Sequence, residues 1–168
     1  DGTIANIISL ATDSINEAGS VEGLAKILTT TKAAMDAGYE LILEKSYVLV
    51  STADELVAAV KGNSDHIIAR NIKLSKDIDF SEATDAVAAL NAENTEIFSG
   101  IFNGNGKTIT NLNLTPENNK RGLLFQNTTN AIINNLTLQS CSISGNLEGL
   151  SLFAGTATNT TFDNIELY

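Results

Sequence analysis

The sequence predicts a mainly β chain, wound as a right-handed parallel β-helix, a solenoid of about three to five coils, behind an α-helical N-terminal hairpin and a capping helix. Three observations carry that expectation. Apolar residues before Gly62 recur at helical spacing. The stretch 97–168 loses that spacing and is rich in Asn and Thr, with 13 of the first and 10 of the second. The motif Asn-apolar-x-apolar returns as Asn71-Ile72-Lys73-Leu74, Asn111-Leu112-Asn113-Leu114, Asn135-Leu136-Thr137-Leu138 and Asn164-Ile165-Glu166-Leu167.

The first element spans Thr3 to Ala18, where Ile4, Ile7, Ile8, Ala11, Ile15 and Ala18 lie on one helix face. Gly19 ends it and Ser20 caps a second helix, whose stripe is Val21, Leu24, Ala25, Leu28 and Met35, with Gly38 at the position of a left-handed C-terminal cap. The two helices read as a hairpin appended at residues 1–46. From Leu41 the pattern turns strand-like, through Leu43 to Tyr47-Val48-Leu49-Val50. Residues 47–168 then form the β-helix domain. Its N-terminal cap covers 47–80 and includes a helix over 52–61, announced by Thr52 and Glu55 at capping-box spacing. Residues 66–74 and 76–80 alternate as strands with one buried face. Residues 82–96 are Ala-rich and read as a loop or short helix between strands.

The coils occupy 97–168. An isolated strand of four or five residues cannot bury its face, whereas stacked copies about 4.8 Å apart bury a continuous column. The intervals between successive motif Asn residues are 40, 24 and 29, which reads as a coil of about 24 residues with loop insertions. On that alignment Leu112, Leu136 and Ile165 form one inward column, and Leu114, Leu138 and Leu167 the next. Asn tolerates a left-handed backbone at a bend and its amide bonds to a like amide above and below, so Asn111, Asn135 and Asn164 are expected to form a ladder. Asn103-Gly104-Asn105-Gly106 marks a tight turn. The chain stops within an inward strand, so its last coil is expected to be covered by further chain or by a partner.

At these residues the chain resembles the bacterial GLUG-motif repeat proteins. The resemblance rests on Phe98 to Leu114 (FSGIFNGNGKTITNLNL), then Gly122-Leu-Leu-Phe125, Asn134-Asn-Leu-Thr-Leu138 and Ser142-Ile-Ser-Gly145. Upstream, Val50 to Val60 and Ile72 to Asp79 are similar to the N-terminal cap of pectate-lyase-like β-helices. The resemblance implies a secreted or cell-surface location in a bacterium and an adhesin-like, non-catalytic module, with carbohydrate or a host or cell-surface protein as partner.

The composition narrows the chemistry independently. The 168 residues carry 10 Lys plus Arg against 20 Asp plus Glu, a formal charge of −10, which repels phosphate backbones and disfavours nucleic acid. The acidity is spread, at −5 for residues 1–62 and −5 for 63–168. No apolar run approaches the roughly 20 residues a membrane helix needs, so no membrane insertion is expected. Cys141 is the single cysteine and excludes an intrachain disulfide. His66 is the single histidine; with no Gly-x-Ser-x-Gly elbow, it makes no triad and reads as a surface or cap residue.

Asp77 and Asp79 project to one side of a strand and form a candidate Ca²⁺ pair, with Arg70 nearby as the candidate base of a lyase. A solvated acidic pair needs no ligand, and no cofactor is expected. The four Asn-x-Ser/Thr sequons, at Asn113, Asn127, Asn135 and Asn159, follow from composition, and Thr108-Ile109-Thr110 is not repeated as an ice-binding array would require. The sequence thus favours a non-enzymatic surface module that serves as stalk or adhesive face. Its alternatives are a fragment of a polysaccharide-degrading lyase, and a phage or secretion-system assembly protein in which the N-terminal helices mediate oligomerisation.

Overall fold

The computed structural model describes residues 2–61, 67–68, 70–92, 97–116, 122–145 and 149–168. The chain divides into two compact units, Asp1–Ser46 and Tyr47–Tyr168.

The first unit is two helices, α1 (Gly2–Glu17) and α2 (Val21–Ser46). Ser20 caps α2, its hydroxyl accepting the Gly23 N–H at 3.1 Å. Helix α2 does not stop at Gly38. That glycine is buried inside the helix, and the Tyr39 to Ser46 segment expected to turn strand-like continues it, because Glu40, Leu41, Glu44 and Lys45 are strong helix formers.

The second unit is mainly β, with parallel strands in three sheets. Its elements in chain order are β1 (Tyr47–Val50), α3 (Ala53–Val60), β2 (Ile67–Ile68), β3 (Asn71–Leu74), β4 (Ile78–Asp79), α4 (Thr84–Asn91), β5 (Ile97–Phe98) and β6 (Ile101–Thr110). There follow β7 (Asn113–Leu114), β8 (Phe125–Thr129), β9 (Ile132–Gln139), β10 (Ser142–Ile143), β11 (Ala154–Thr158) and β12 (Thr161–Leu167). Thr52 caps α3 through the Glu55 N–H, while the Glu55 carboxylate accepts the Ser51 N–H at 2.7 Å and the Ser51 hydroxyl at 2.8 Å. Those bonds, the backbone one first, hold its carboxyl below the ordinary range. The Ala-rich stretch 82–96 is helical over Thr84–Asn91 as α4, and its residues 93–96 lie outside the described residues.

The sheets run β1-β3-β6-β9-β12 with β4 also on β6, then β2-β5-β8-β11, then β7-β10. Ile109 lies opposite Leu138 and Leu138 opposite Leu167, an offset of 29, the same separation that joins the side chains of Asn135 and Asn164. Phe102 lies opposite Ile72 and Ile133, offsets of 30 and 31. The 24-residue coil is therefore corrected. Asn-apolar-x-apolar marks more than one bend of each segment, and pairing Asn111 with Asn135 aligns two different bends. Left-handed residues show how many there are: Asn105, Asn111, Asn130, Asn135, Ser140, Asn159 and Asn164 all have φ between 47° and 57°.

The predicted columns change accordingly. Leu136–Ile165 and Leu138–Leu167 stand opposite each other. Leu112 and Leu114 are fully buried but belong to neither column; Leu114 faces Ile143 across β7 and β10, whereas Leu136 meets Lys107 and Leu138 meets Ile109. Another column, Val48–Ile72–Phe102–Ile133–Phe162, crosses β1, β3, β6, β9 and β12 of the six-stranded large sheet. Its three central members are at most 1% exposed, while Val48 and Phe162 at the ends are 41% and 42% exposed. Leu167, expected inward, is likewise exposed, since no strand stacks beyond β12 in the described chain. Phe125 locks the interior between sheets, stacked on Phe98 at 4.5 Å and edge-on to Phe102 at 5.7 Å between centroids.

Close stacking leaves no room at Gly104, where an added Cβ would lie 2.3 Å from the Asn135 carbonyl oxygen and 2.6 Å from the Leu136 Cα. Both are backbone atoms of the neighbouring strand and cannot rotate away. Gly104→Ala is expected to lower unfolding free energy by about 1–3 kcal/mol in urea titration, the usual cost of overpacking. An unchanged midpoint would contradict the register described.

Candidate functional site

Asp77 and Asp79 are the clearest route to chemistry that the sequence offers. The Asp77 carboxylate accepts the Thr108 N–H at 2.8 Å. Asp79 accepts the Ser81 N–H at 2.9 Å and the Asn111 side-chain amide at 2.9 Å with one oxygen. The Asn111 bond, then those from Ser81, hold the Asp79 carboxyl below the ordinary carboxylate range. Both acids thus tie neighbouring strands together. Among the described residues no group of three or more His, Cys, Asp or Glu is placed to hold a metal ion. Arg70 is exposed just before β3, and His66 lies outside the described residues.

The Asn ladder forms in part. The Asn164 amide donates to the Asn135 oxygen at 2.8 Å, as predicted, and Asn135 in turn donates to Asn103 at 3.5 Å. Asn111 is not a rung of it. Its backbone N–H goes to the Gln139 carbonyl, which places it against the bend at Ser140, and its side chain goes to Asp79. A further rung, unforeseen, joins Asn159 to Asn130 at 2.6 Å. Cys141 sits half-buried with its sulfur 3.4 Å from the Ile109 and Gln139 carbonyls, and burial pushes its thiol up, away from the thiolate a nucleophile needs.

What the structure does assemble is a groove of about 510 Å³ between α4 and the bend after β6. Ser81, Thr84, Asn91, Asn111 and Asn113 supply hydroxyls and amides along it, and Phe80 and Val87 supply apolar surface. Asn91 is fixed by accepting the Thr115 N–H at 2.8 Å, and Asn113 by accepting the Ser142 hydroxyl at 2.6 Å. None of the lining side chains is ionisable, so the groove offers neutral hydrogen bonding over an apolar floor and no acid-base pair. The sequence concealed it because its walls come from segments distant in the chain that meet only through the register.

On the large sheet, Thr108 stands opposite Thr137 and Thr137 opposite Glu166, and Asp79, Thr110 and Gln139 follow as a parallel polar row. Among the described residues no helix is long and apolar enough to cross a membrane.

The larger unit is thus a mainly β unit of parallel strands with a neutral groove beside α4 and carboxylates bonded to neighbouring strands. Comparison with known proteins gives a partial likeness. A 72-residue stretch, 42% of this chain, is 40% identical to part of Halomucin from Haloquadratum walsbyi (strain DSM 16790 / HBSQ001), and the match spans 1% of that protein's length. No family model matches the chain, and no solved structure does.

The buttressing role of Asp79 has a pH signature. A carboxyl whose folded pKa is depressed contributes stability above its unfolded pKa of about 3.9, and the contribution is lost as pH falls through the lower folded value. Asp79→Ala is therefore expected to lower the thermal midpoint at pH 6, with the difference from the parent chain shrinking steadily below about pH 4. A difference that stays constant down to pH 2 would contradict the role.

Proposed function

We propose that the larger unit is a right-handed parallel β-helix and that the chain is a non-catalytic, adhesin-like module of a secreted or cell-surface protein, acting as stalk and binding face. The single observation that carries this reading is the regular offset, 29 to 31 in chain number from β3 onward after a first step of 24 between β1 and β3, at which in-register parallel strands follow one another, with Asp77, Asp79 and the bend Asn residues engaged in joining those strands. Such an architecture grows by addition of equivalent segments, and its value to a surface protein is length and an extended face. The likeness to Halomucin, a mucin by name, supports an extracellular setting. So does the GLUG-like repeat, which points to a bacterium.

On this reading the groove beside α4 is the binding face, and neutral carbohydrate is its ligand class. Sugar hydroxyls pair with amides and hydroxyls such as those of Asn91, Asn111 and Thr84, and an apolar floor suits the faces of sugar rings. No cofactor takes part.

A glycan array run beside a uronate-release assay separates this reading from that of a polysaccharide lyase. The expected result is retention of neutral glycans, abolished by Thr84→Arg, which fills the groove, with no release of ultraviolet-absorbing unsaturated products. Unsaturated products that disappear in Asp79→Ala would overturn the non-catalytic reading; glycan binding untouched by Thr84→Arg would overturn the assignment of the groove.

A further inference from the structure

The helical unit presents an apolar face that it does not itself cover. Helices α1 and α2 pack antiparallel across Ile7 and Ala11 on one side and Gly23, Ile27, Thr31, Ala34 and Gly38 on the other, the less exposed positions of each helix. One residue past each of these stand Ile8 and Thr12 on α1 and Leu24, Leu28, Lys32, Met35 and Tyr39 on α2, and Ile15 follows on α1 four residues past Ala11. A step of one residue turns about 100° around a helix, and because the helices run antiparallel the same step brings both stripes to the same side of the pair. The result is a two-helix apolar layer. Leu28 is 72% exposed, and Ile8 and Ile15 are each 51% exposed. Lys32, the charged residue within the layer, pairs with Asp36 of its own helix.

The geometry points to a second copy of this chain as the occupant of that face, the two hairpins closing into a four-helix bundle about a twofold axis. Three considerations favour a second copy. The described side chains of the unit Asp1–Ser46 include no buried large apolar residue, and units of this size that lack a core gain one by association. The layer is apolar but for Thr12, whose hydroxyl bonds back to the Ile8 carbonyl, and Lys32, which pairs with Asp36, so it is complementary to itself, which is what a twofold interface requires. At 1.5 Å rise per residue and about 10 Å width, residues 5–15 and 21–39 offer a face of about 450 Å² per copy, the small end of specific interfaces, which suits a dimer that forms at tens of micromolar. This assignment is independent of what the larger unit binds.

Sedimentation equilibrium of the full chain tests it. The expected mass is twice 17.7 kDa at tens of micromolar, with association strengthening as salt screens the −10 charge of each copy. Leu28→Glu is expected to weaken the dimer by about 30-fold or more, the effect of losing a central contact residue. Thr30→Glu, equally polar but on the opposite side of α2, is expected to leave the dimer intact, which separates loss of the face from a general loss of helix. A monomeric parent chain would overturn the proposal, as would a dimer that survives Leu28→Glu. Dissociation by Phe162→Asp with Leu28→Glu still dimeric would also overturn it, assigning association to the edge of β12.

Discussion

Everything in the larger unit depends on parallel backbone register between strands that lie far apart in the chain. Strand β9 is held on both sides, by β6 and by β12, and its inward side chains Ile133, Leu136 and Leu138 are covered because Phe102, Ile109, Phe162, Ile165 and Leu167 stand at the matching positions. A slip of one residue would invert every one of these side chains. What prevents a slip is the set of bends. Each left-handed Asn or Ser fixes where a strand turns, and the amide contacts between Asn164 and Asn135 and between Asn159 and Asn130 hold successive bends in line. Turn chemistry and column burial therefore select the same register, and this agreement gives the unit a single arrangement.

The same constraint decides what the polar residues do. Asp77 and Asp79 receive N–H groups of the neighbouring strand and of the following turn, and the Asn111 amide closes the set. Cys141 is directed at carbonyls of two strands. Chemistry-bearing side chains have become part of the scaffold. The lining of the groove beside α4 is neutral and hydrogen-bonding, although Glu82 and Asp85 stand close by and the chain as a whole is acidic.

Much of this was legible in the sequence where local chemistry is decisive. Thr52 and Glu55 announce α3, Ser20 announces α2, and the strands around Ile72, Ile133 and Phe162 follow from alternation. Register was not legible. Asn111-Leu112-Asn113-Leu114 and Asn135-Leu136-Thr137-Leu138 are nearly identical strings, yet they occupy different sheets, because left-handed Asn suits every bend and carries no label for which bend it makes. Gly38 misled for a related reason: a glycine buried inside a helix looks, in sequence, like a C-terminal cap. The groove was invisible because it exists only once the true register brings Asn91 beside Asn111 and Asn113.

The most direct test of the register is disulfide trapping in a Cys141→Ser background. Parallel neighbours lie about 4.8 Å apart, within the Cα separation a disulfide spans. Thr108 and Thr137 face outward opposite each other, so the double substitution Thr108→Cys with Thr137→Cys is expected to oxidise readily with the fold retained. In the alternative 24-residue register it is Asn113 that would oppose Thr137. Rapid oxidation of Asn113→Cys with Thr137→Cys, and none of the first pair, would contradict the account.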